Sequence, residues 1–466
     1  MPHATLHDLI VATGGRPSDE VRPGDAIGII RTDSRLVTAG DCFWALPGSA
    51  QNGHDFVGEA IRHGARCCVV QEDRPAFVGH PRVVVRSCLN ALSDFARWYR
   101  QSRDAMVIGI TGSVGKTTTR MMLHAVLSER FAGAQSPANF NNHVGVPLSL
   151  LAMEPRDEFA VIEMGASGPG EIAALADIAR PEAAIITTVA PAHLERFGSI
   201  EAIQAAKGEL VAAIPADGFV VLNGDDRRVR AMASRAACRV IRVGEGPEND
   251  LRPDRVTVGN NVIALTIGNS VFRLRAIGRQ HVTSALASIA VAREIGLSDV
   301  EIARGIGNFE PAAGRCRRIE VGPWTLIDDT YNASPIAAAA AVEILRKWQT
   351  THRKWLVLGD MLELGRDSES LHRELGSLAG RVRLDGIIAF GSFSDQVVDG
   401  ARAAGMSAGQ LAVCRDLPTA MLHLDCWLSP GDVVLVKGSR GMRMERIIEQ
   451  LKQRVSVQEQ AIHRAA

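Results

Sequence analysis

Ala105-Met106-Val107-Ile108-Gly109-Ile110-Thr111-Gly112-Ser113-Val114-Gly115-Lys116-Thr117-Thr118-Thr119 is the stretch on which the fold turns. An apolar, β-type run ends at Ile110, a glycine-rich turn follows, and a helix-compatible run begins at Lys116 and continues to about Arg130. Glycines allow successive backbone N–H groups to converge on one anion, and the start of a helix adds its positive dipole end. Gly112, Ser113, Val114, Gly115, Lys116, Thr117 and Thr118 therefore form a candidate phosphate cradle. Within it, Lys116 is placed to reach β/γ-phosphates and the Thr117 hydroxyl to ligate Mg²⁺. The strict eight-residue pattern is not met, because Ile110 stands where its first glycine belongs. An ordinary glycine-rich strand–helix turn is the alternative.

Working outward, residues 104–312 alternate apolar runs with helical stretches, the pattern of a mostly parallel sheet covered on both faces. Phe159-Ala160-Val161-Ile162-Glu163 is an apolar strand ending in a carboxylate, where a nucleotide's magnesium is usually held. A loop or helix cap is the plainer reading. Ala184–Val189 is another such strand, and Ala190-Pro191-Ala192-His193 puts His193 on the same rim. Taken alone, a loop histidine is more often surface than ligand. Residues 199–211 read as a helix capped by Ser199, on which Lys207 by itself is a solvated lysine. A glycine, Gly278, precedes an alanine-rich helix running to about Ala292.

Residues 1–103 carry short apolar runs (Ile27–Ile30, Cys42–Leu46, Cys67–Val70, Val83–Val85) with helical stretches near 55–63 and 88–100, a small α/β module. Its polar clusters, Thr32-Asp33-Ser34-Arg35 and the later Gly48–Asp55, are binding candidates or simply solvated turns. Pro311 and Gly314 mark a boundary near 312, after which residues 313–466 restart a strand–turn–helix rhythm. Four strands (324–329, 355–359, 386–390 and 432–437) predict a second doubly wound, Rossmann-like sheet without a second phosphate loop. The tail from Lys452 is expected to fray.

The bulk numbers narrow the class. The 466 residues suit roughly three domains. Fifty-two basic residues balance fifty-two acidic ones, so no global field draws the chain to nucleic acid or anionic lipid. Eight cysteines without a CxxC pair or zinc spacing read as reduced residues of a cytoplasmic protein. No signal peptide is visible, and no apolar run reaches about 18 residues, so no membrane span is expected.

Together these residues resemble a known family, the Mur ligases of bacterial cell-wall synthesis. The resemblance rests on Thr111–Thr118, Asn139–Leu148, Glu163-Met164-Gly165, Ala192–Gly198, Ala206–Glu209, Asp328–Ala333, Val357–Gly365 and Val436–Met442, in the family's order. The last three stretches point to the member that adds a dipeptide. The resemblance implies an N-terminal module holding the UDP end of a substrate, a central ATP-binding domain and a C-terminal domain that brings the acceptor. It implies that ATP activates the terminal carboxylate of a UDP-linked muramoyl tripeptide as an acyl phosphate. The amine of D-alanyl-D-alanine then attacks that acyl group. By similarity, Lys116, Glu163, His193 and Lys207 are catalytic. Thr117 and Glu163 hold one Mg²⁺, and a second rests on Glu163, His193 and a Lys207 carboxylated by CO₂. Arg315 and Asp329 join the cradle in holding nucleotide, while Ser34, Arg35, Asn142, Tyr331, Asn332, Asp360, Lys437 and Ser439 face substrates. The implied enzyme is a cytoplasmic monomer.

The sequence also departs from the family. Where Gly-x-His-Asn-x-x-Asn is usual, and helps read adenine, this chain has Gly278-Arg279-Gln280-His281-Val282-Thr283-Ser284. Ser334 stands where the family commonly has Asn. Adenine recognition is therefore expected to be rebuilt or weaker. The competing readings are a sister amide ligase with another acceptor, a nucleotide-binding module without turnover, and an inactive homologue.

Overall fold

The computed structural model describes residues 4–48, 51–191, 194–382 and 384–465, without the side chains of Leu194 and 458–465. Four sheets organise the chain. The first holds β1 (Arg16–Pro17), β2 (Ile30–Arg31), β3 (Cys42–Trp44), β4 (Cys67–Val70) and β5 (Arg82–Val84), in the order β1-β5-β4-β3-β2. Only β1 runs antiparallel, to β5.

The second sheet holds β6 (Met106–Thr111), β7 (Gly133–Gln135), β8 (Phe159–Glu163), β9 (Ala183–Ile186), β10 (Phe219–Asn223) and β11 (Arg239–Val243). Its order is β11-β10-β9-β6-β8-β7 and every pairing is parallel. Its four central strands are almost wholly buried because both faces are covered, so alternate residues feed different cores. Val107, Ala184 and Ile186 enter one cluster, whereas Ile108, Ile110, Ala183 and Ile185 enter the other. The chain reverses direction across the sheet at β6, between β9 and β8, and such a switch point opens a crevice beyond the strands' carboxyl ends.

A hairpin sheet that the periodicity does not announce follows: β12 (Arg255–Val258), β13 (Ile263–Ile267) and β14 (Ser270–Leu274), all antiparallel. More exposed positions alternate with Ile263, Leu265, Phe272 and Leu274, which enter the same hydrophobic cluster as Ile302 and Ile306 of the helix Asp299–Asn308, against which β14 lies. The last sheet holds β15 (Arg317–Val321), β16 (Trp324–Asp329), β17 (Lys354–Gly359), β18 (Gly386–Phe390), β19 (Leu411–Cys414) and β20 (Val433–Lys437), in the order β15-β16-β20-β17-β18-β19. Six strands thus stand where four were expected. β15 turns back on β16 as an antiparallel edge hairpin, and β19 is too short for its pattern to stand out.

The N-terminal sheet shares its core with the central one. The helix Cys88–Gln101 places Phe95 and Tyr99 in the same cluster as Val107 and Val146. Tyr99 Oη donates to Met153 O at 2.7 Å, and Arg100 Nε donates to Ala179 O at 2.9 Å. At the other end, the segment expected to fray continues the helix Glu445–Ala465, whose Ile447, Ile448 and Leu451 pack on the C-terminal sheet. None of the described cysteine pairs is bonded, and most of the thiols are buried. Among the described residues no helix is long and apolar enough to cross a membrane.

Candidate active site

The cradle begins where β6 ends. Gly112 has φ 149°, and a Cβ there would lie 2.0 Å from Thr187 Oγ1, so only glycine fits. Gly115, at φ 91°, precedes the helix Lys116–Leu127 without a side-chain cap, leaving the first helical N–H groups for a ligand. The segment after β9 pins the loop from behind. Thr187 Oγ1 donates to Val114 O at 2.6 Å, Ser113 N donates to Thr188 O at 2.7 Å, and Ser113 Oγ donates to Ala190 O at 2.9 Å.

Lys116 Nζ lies over this loop, 2.7 Å from Gly112 O. Its ammonium is held below the ordinary lysine value by burial, which the Glu163 charge partly opposes. Thr117 Oγ1 donates to Glu163 Oε2 at 2.9 Å, and Asn141 Nδ2 donates to Glu163 Oε1 at 2.8 Å. Arg120, one turn after Lys116 on the same helix face, brings Nε to 3.6 Å from Glu163 Oε2. Glu163 at the end of β8 is thus buried and held on both oxygens.

Lys207 lies on the helix Ile200–Ala212, capped by Ser199 as expected, but it is not solvated. It is 3% exposed, and burial, reinforced by the nearby Lys116 charge, pulls its pKa down to about 7 despite Glu171, Glu209 and Glu163. His193 lies outside the described residues.

The facing wall comes from the C-terminal sheet. Arg315 Nη2 donates to Thr117 Oγ1 at 3.2 Å, and its Cζ lies 3.8 Å from the centre of the Tyr331 ring. Asp329, ending β16, accepts from Lys437 Nζ at 2.6 Å, and Lys437, ending β20, also donates to Asn332 O at 2.9 Å. The strand register that pairs Asp329 with Lys437 makes this buried ion pair. Tyr331, Asn332, Asp329, Lys437, Ser439 and Arg440 face Ser113–Thr118 and Glu163 across a cleft of about 500 Å³.

The other residues expected at the substrates have the following places. Asn142 Oδ1 accepts from Val144 N and Gly145 N, so it shapes the start of the helix Gly145–Leu151; its neighbour Asn141 takes the position beside Glu163. Asp360 spends its carboxylate on Ser392 N and Phe393 N and does not line the cleft. Ser439 lines the cleft but ties loops together: its hydroxyl accepts from Leu362 N at 2.9 Å, and its N–H donates to Asp360 O. Ser34 and Arg35 stand in the N-terminal module, Ser34 bonded to Glu59 and Arg35 to Asp33, apart from the cleft lining.

Sequence reasoning passed over Asn141, Arg120, Thr187 and Arg440. Asn141 lies in the Asn139–Leu148 stretch, where nothing local separates it from Asn142. The departures also find their place. Ser284 Oγ accepts from Thr119 Oγ1 at 2.9 Å, tying the two helix starts together. His281 lines the cleft, buried, with neither ring nitrogen hydrogen-bonded among the described residues.

Three family models match along the chain: the Mur ligase family, catalytic domain over 26–100; the Mur ligase middle domain over 110–292; and the Mur ligase, glutamate ligase domain over 314–440. The UDP-N-acetylmuramoyl-tripeptide–D-alanyl-D-alanine ligase of Bacillus subtilis is 33% identical over 428 residues, covering 91% of this chain and 92% of its own. MurF from Acinetobacter baumannii superposes with a TM-score of 0.88 at 30% identity, over 97% of this chain and 100% of that one. The MurF ligase from Thermotoga maritima, in complex with ADP, gives 0.80 at 29% identity over 92% and 98%. With the cradle, the carboxylate beside it and the matched models all in one order, the chain belongs to the Mur ligase family.

Proposed function

We propose that this chain is the ATP-dependent ligase that joins D-alanyl-D-alanine to UDP-N-acetylmuramoyl-tripeptide, giving the UDP-muramoyl-pentapeptide, ADP and phosphate for peptidoglycan synthesis. The observation that carries the reading is the cleft itself. One wall is a phosphate cradle with a held carboxylate, and the other carries the Asp328–Ala333 and Val436–Met442 segments of the dipeptide-adding relatives.

In the first step a substrate carboxylate oxygen attacks the γ-phosphorus of ATP, and ADP leaves. Gly112–Thr118 hold the phosphates, and Lys116, turning from the loop carbonyls, offsets charge on the transferred group. Arg315 reaches the same point from the opposite wall, so closure of the cleft completes the cationic ring and positions the reactants. The dipeptide's amine then attacks the acyl carbon, a proton is lost from nitrogen, and phosphate departs. Asp329 and Lys437 neutralise each other and hold the Tyr331–Asn332 turn in place.

Thr117 and Glu163 suit Mg²⁺: a hydroxyl and a carboxylate, hard oxygens already 2.9 Å apart. Magnesium would supply charge neutralisation for the gathered phosphate oxygens. A second ion would rest on Glu163, His193 and Lys207 once Lys207 is carboxylated. Carboxylation by CO₂ needs the neutral amine that burial favours, and it exchanges a buried cation for an oxygen donor. We place the enzyme in the cytoplasm as a monomer, with residues 1–103 holding the UDP end, 104–312 the nucleotide and 313–466 the acceptor.

The test is phosphate release with D-alanyl-D-alanine and each of two UDP-tripeptides, ending in lysine or meso-diaminopimelate. Turnover with at least one is expected. Release only with a different acceptor from an amino-acid panel would assign the chain to a sister ligase, and none with any acceptor would leave a nucleotide-binding homologue.

A further inference from the structure

A dipeptide acceptor carries a carboxylate at the end opposite its attacking amine. That anion enters a partly desolvated cleft, where it is costly unless a cation meets it. Among the described residues lining the cleft, the lysines and arginines are Lys116, Arg315, Lys437 and Arg440. Three are already committed. Lys116 lies on the phosphate loop, Arg315 reaches Thr117, and Lys437 is buried against Asp329 and Asn332 O. His281 is buried, with no opposite charge beside it among the described residues, and burial pushes it down to about 4.

Arg440 differs from all of these. Its side chain is 66% exposed, and its one ion-pair contact among the described residues is Nη1 to Glu445 Oε1 at 3.2 Å, so most of a five-donor fork is left for a ligand. Its backbone, by contrast, is firmly held. The preceding Ser439 is bonded to Leu362 N, Ala333 O and Asp360 O, and Met442 N closes the turn onto Ser439 O. Its position also suits the reaction. The Arg440 Cζ lies 5.7 Å from the centre of the Tyr331 ring, the same ring over which Arg315 lies at 3.8 Å while touching Thr117. An extended dipeptide spans roughly 7 Å, the same scale as the distances of these two arginines from that ring.

We propose that Arg440 receives the acceptor's terminal carboxylate in a bidentate, charge-assisted contact and so determines acceptor specificity, an inference that rests on the dipeptide-ligase reading above. The roles within Val436–Met442 then divide: Lys437 and Ser439 hold the loops, and Arg440 reads the acceptor.

The experiment compares D-alanyl-D-alanine with D-alanyl-D-alaninamide, which lacks the charge, in wild type, Arg440→Ala and Arg440→Lys. Wild type is expected to favour the acid about 10- to 100-fold in kcat/KM, the worth of a charge-assisted bond. In Arg440→Ala the ratio should collapse towards one through a raised dipeptide KM, with the KM values for ATP and UDP-tripeptide unchanged. Arg440→Lys should fall between, because it keeps the charge and loses the fork. An Arg440→Ala enzyme that preserves the wild-type acid-to-amide ratio overturns the inference, even if all its KM values rise together. A wild-type enzyme that uses no D-alanyl-D-alanine at all overturns the ligase reading instead.

Discussion

Lys116, which lines the cleft, and Lys207, buried within reach of its charge, show one residue type in two settings. Burial pulls the Lys116 ammonium below the ordinary lysine value while Glu163 opposes the shift, and its proposed work is to meet phosphate. Lys116→Ala should lower kcat by about 10²- to 10³-fold with the thermal unfolding profile little changed, as rate and melting measurements would check. Lys207 is a buried amine whose pKa in the folded state is about 7, against 10.5 for a free lysine. Between those values the unfolded chain binds more protons than the folded one, so this residue's contribution to stability rises with pH across that window. In CO₂-free buffer, Lys207→Met should therefore be more stable than wild type at pH 7, by up to a few kcal/mol, and the gap should close towards pH 10. Denaturant titration at several pH values would reveal it, and a pH-independent gap would contradict a buried titrating amine. The same variant should be nearly inactive. With ¹³C-bicarbonate the wild-type protein should show a carbamate resonance, growing above pH 7, that the variant lacks.

At the scale of elements, the cleft is made of strand ends and the turns that follow them. β6, β8 and β9 deliver the cradle, Glu163 and Thr187; β16 and β20 deliver Asp329 and Lys437. The turns stay in place through side chains that spend their hydrogen bonds on backbone. Ser439 is the plainest case: it lines the cleft, and its hydroxyl accepts from Leu362 N and donates to Ala333 O, which supports a bracing role. Ser439→Ala leaves Leu362 N without its partner beside the cleft, at a cost of about 1–3 kcal/mol. A lower melting temperature should accompany loss of activity towards all three substrates. An effect confined to the dipeptide KM, at unchanged stability, would return Ser439 to the acceptor site.

The whole molecule joins its parts in two different ways. The N-terminal and central sheets share a hydrophobic cluster through Phe95 and Tyr99, so cutting after residue 103 would open a core. The role of the N-terminal module is better tested by Arg35→Ala, which should raise the KM for UDP-tripeptide several-fold and leave that for ATP alone. The central and C-terminal parts meet across the cleft and also at a polar clip: Asn260 Nδ2 donates to Gln349 O at 2.7 Å, and Gln349 N donates to Asn260 Oδ1 at 3.1 Å. Asn260→Ala removes both bonds at an exposed site. It should shift the solution scattering profile towards a more open cleft while the melting temperature moves by only about 1–3 °C. The sequence by itself determined the cradle, the strand that ends in Glu163, the doubly wound sheets and the family. The first three are local signals, set by chain geometry and side-chain periodicity within some ten residues, whereas the resemblance to the family rests on the order of motifs along the chain. Only the tertiary structure decided that Lys207 is buried rather than solvated and that Asn141, not Asn142, meets Glu163. It alone showed Asp360 and Ser439 to be braces and Arg440 to face the cleft. Each of those outcomes depends on which distant groups surround a side chain, and such partners lie as far as 106 residues away.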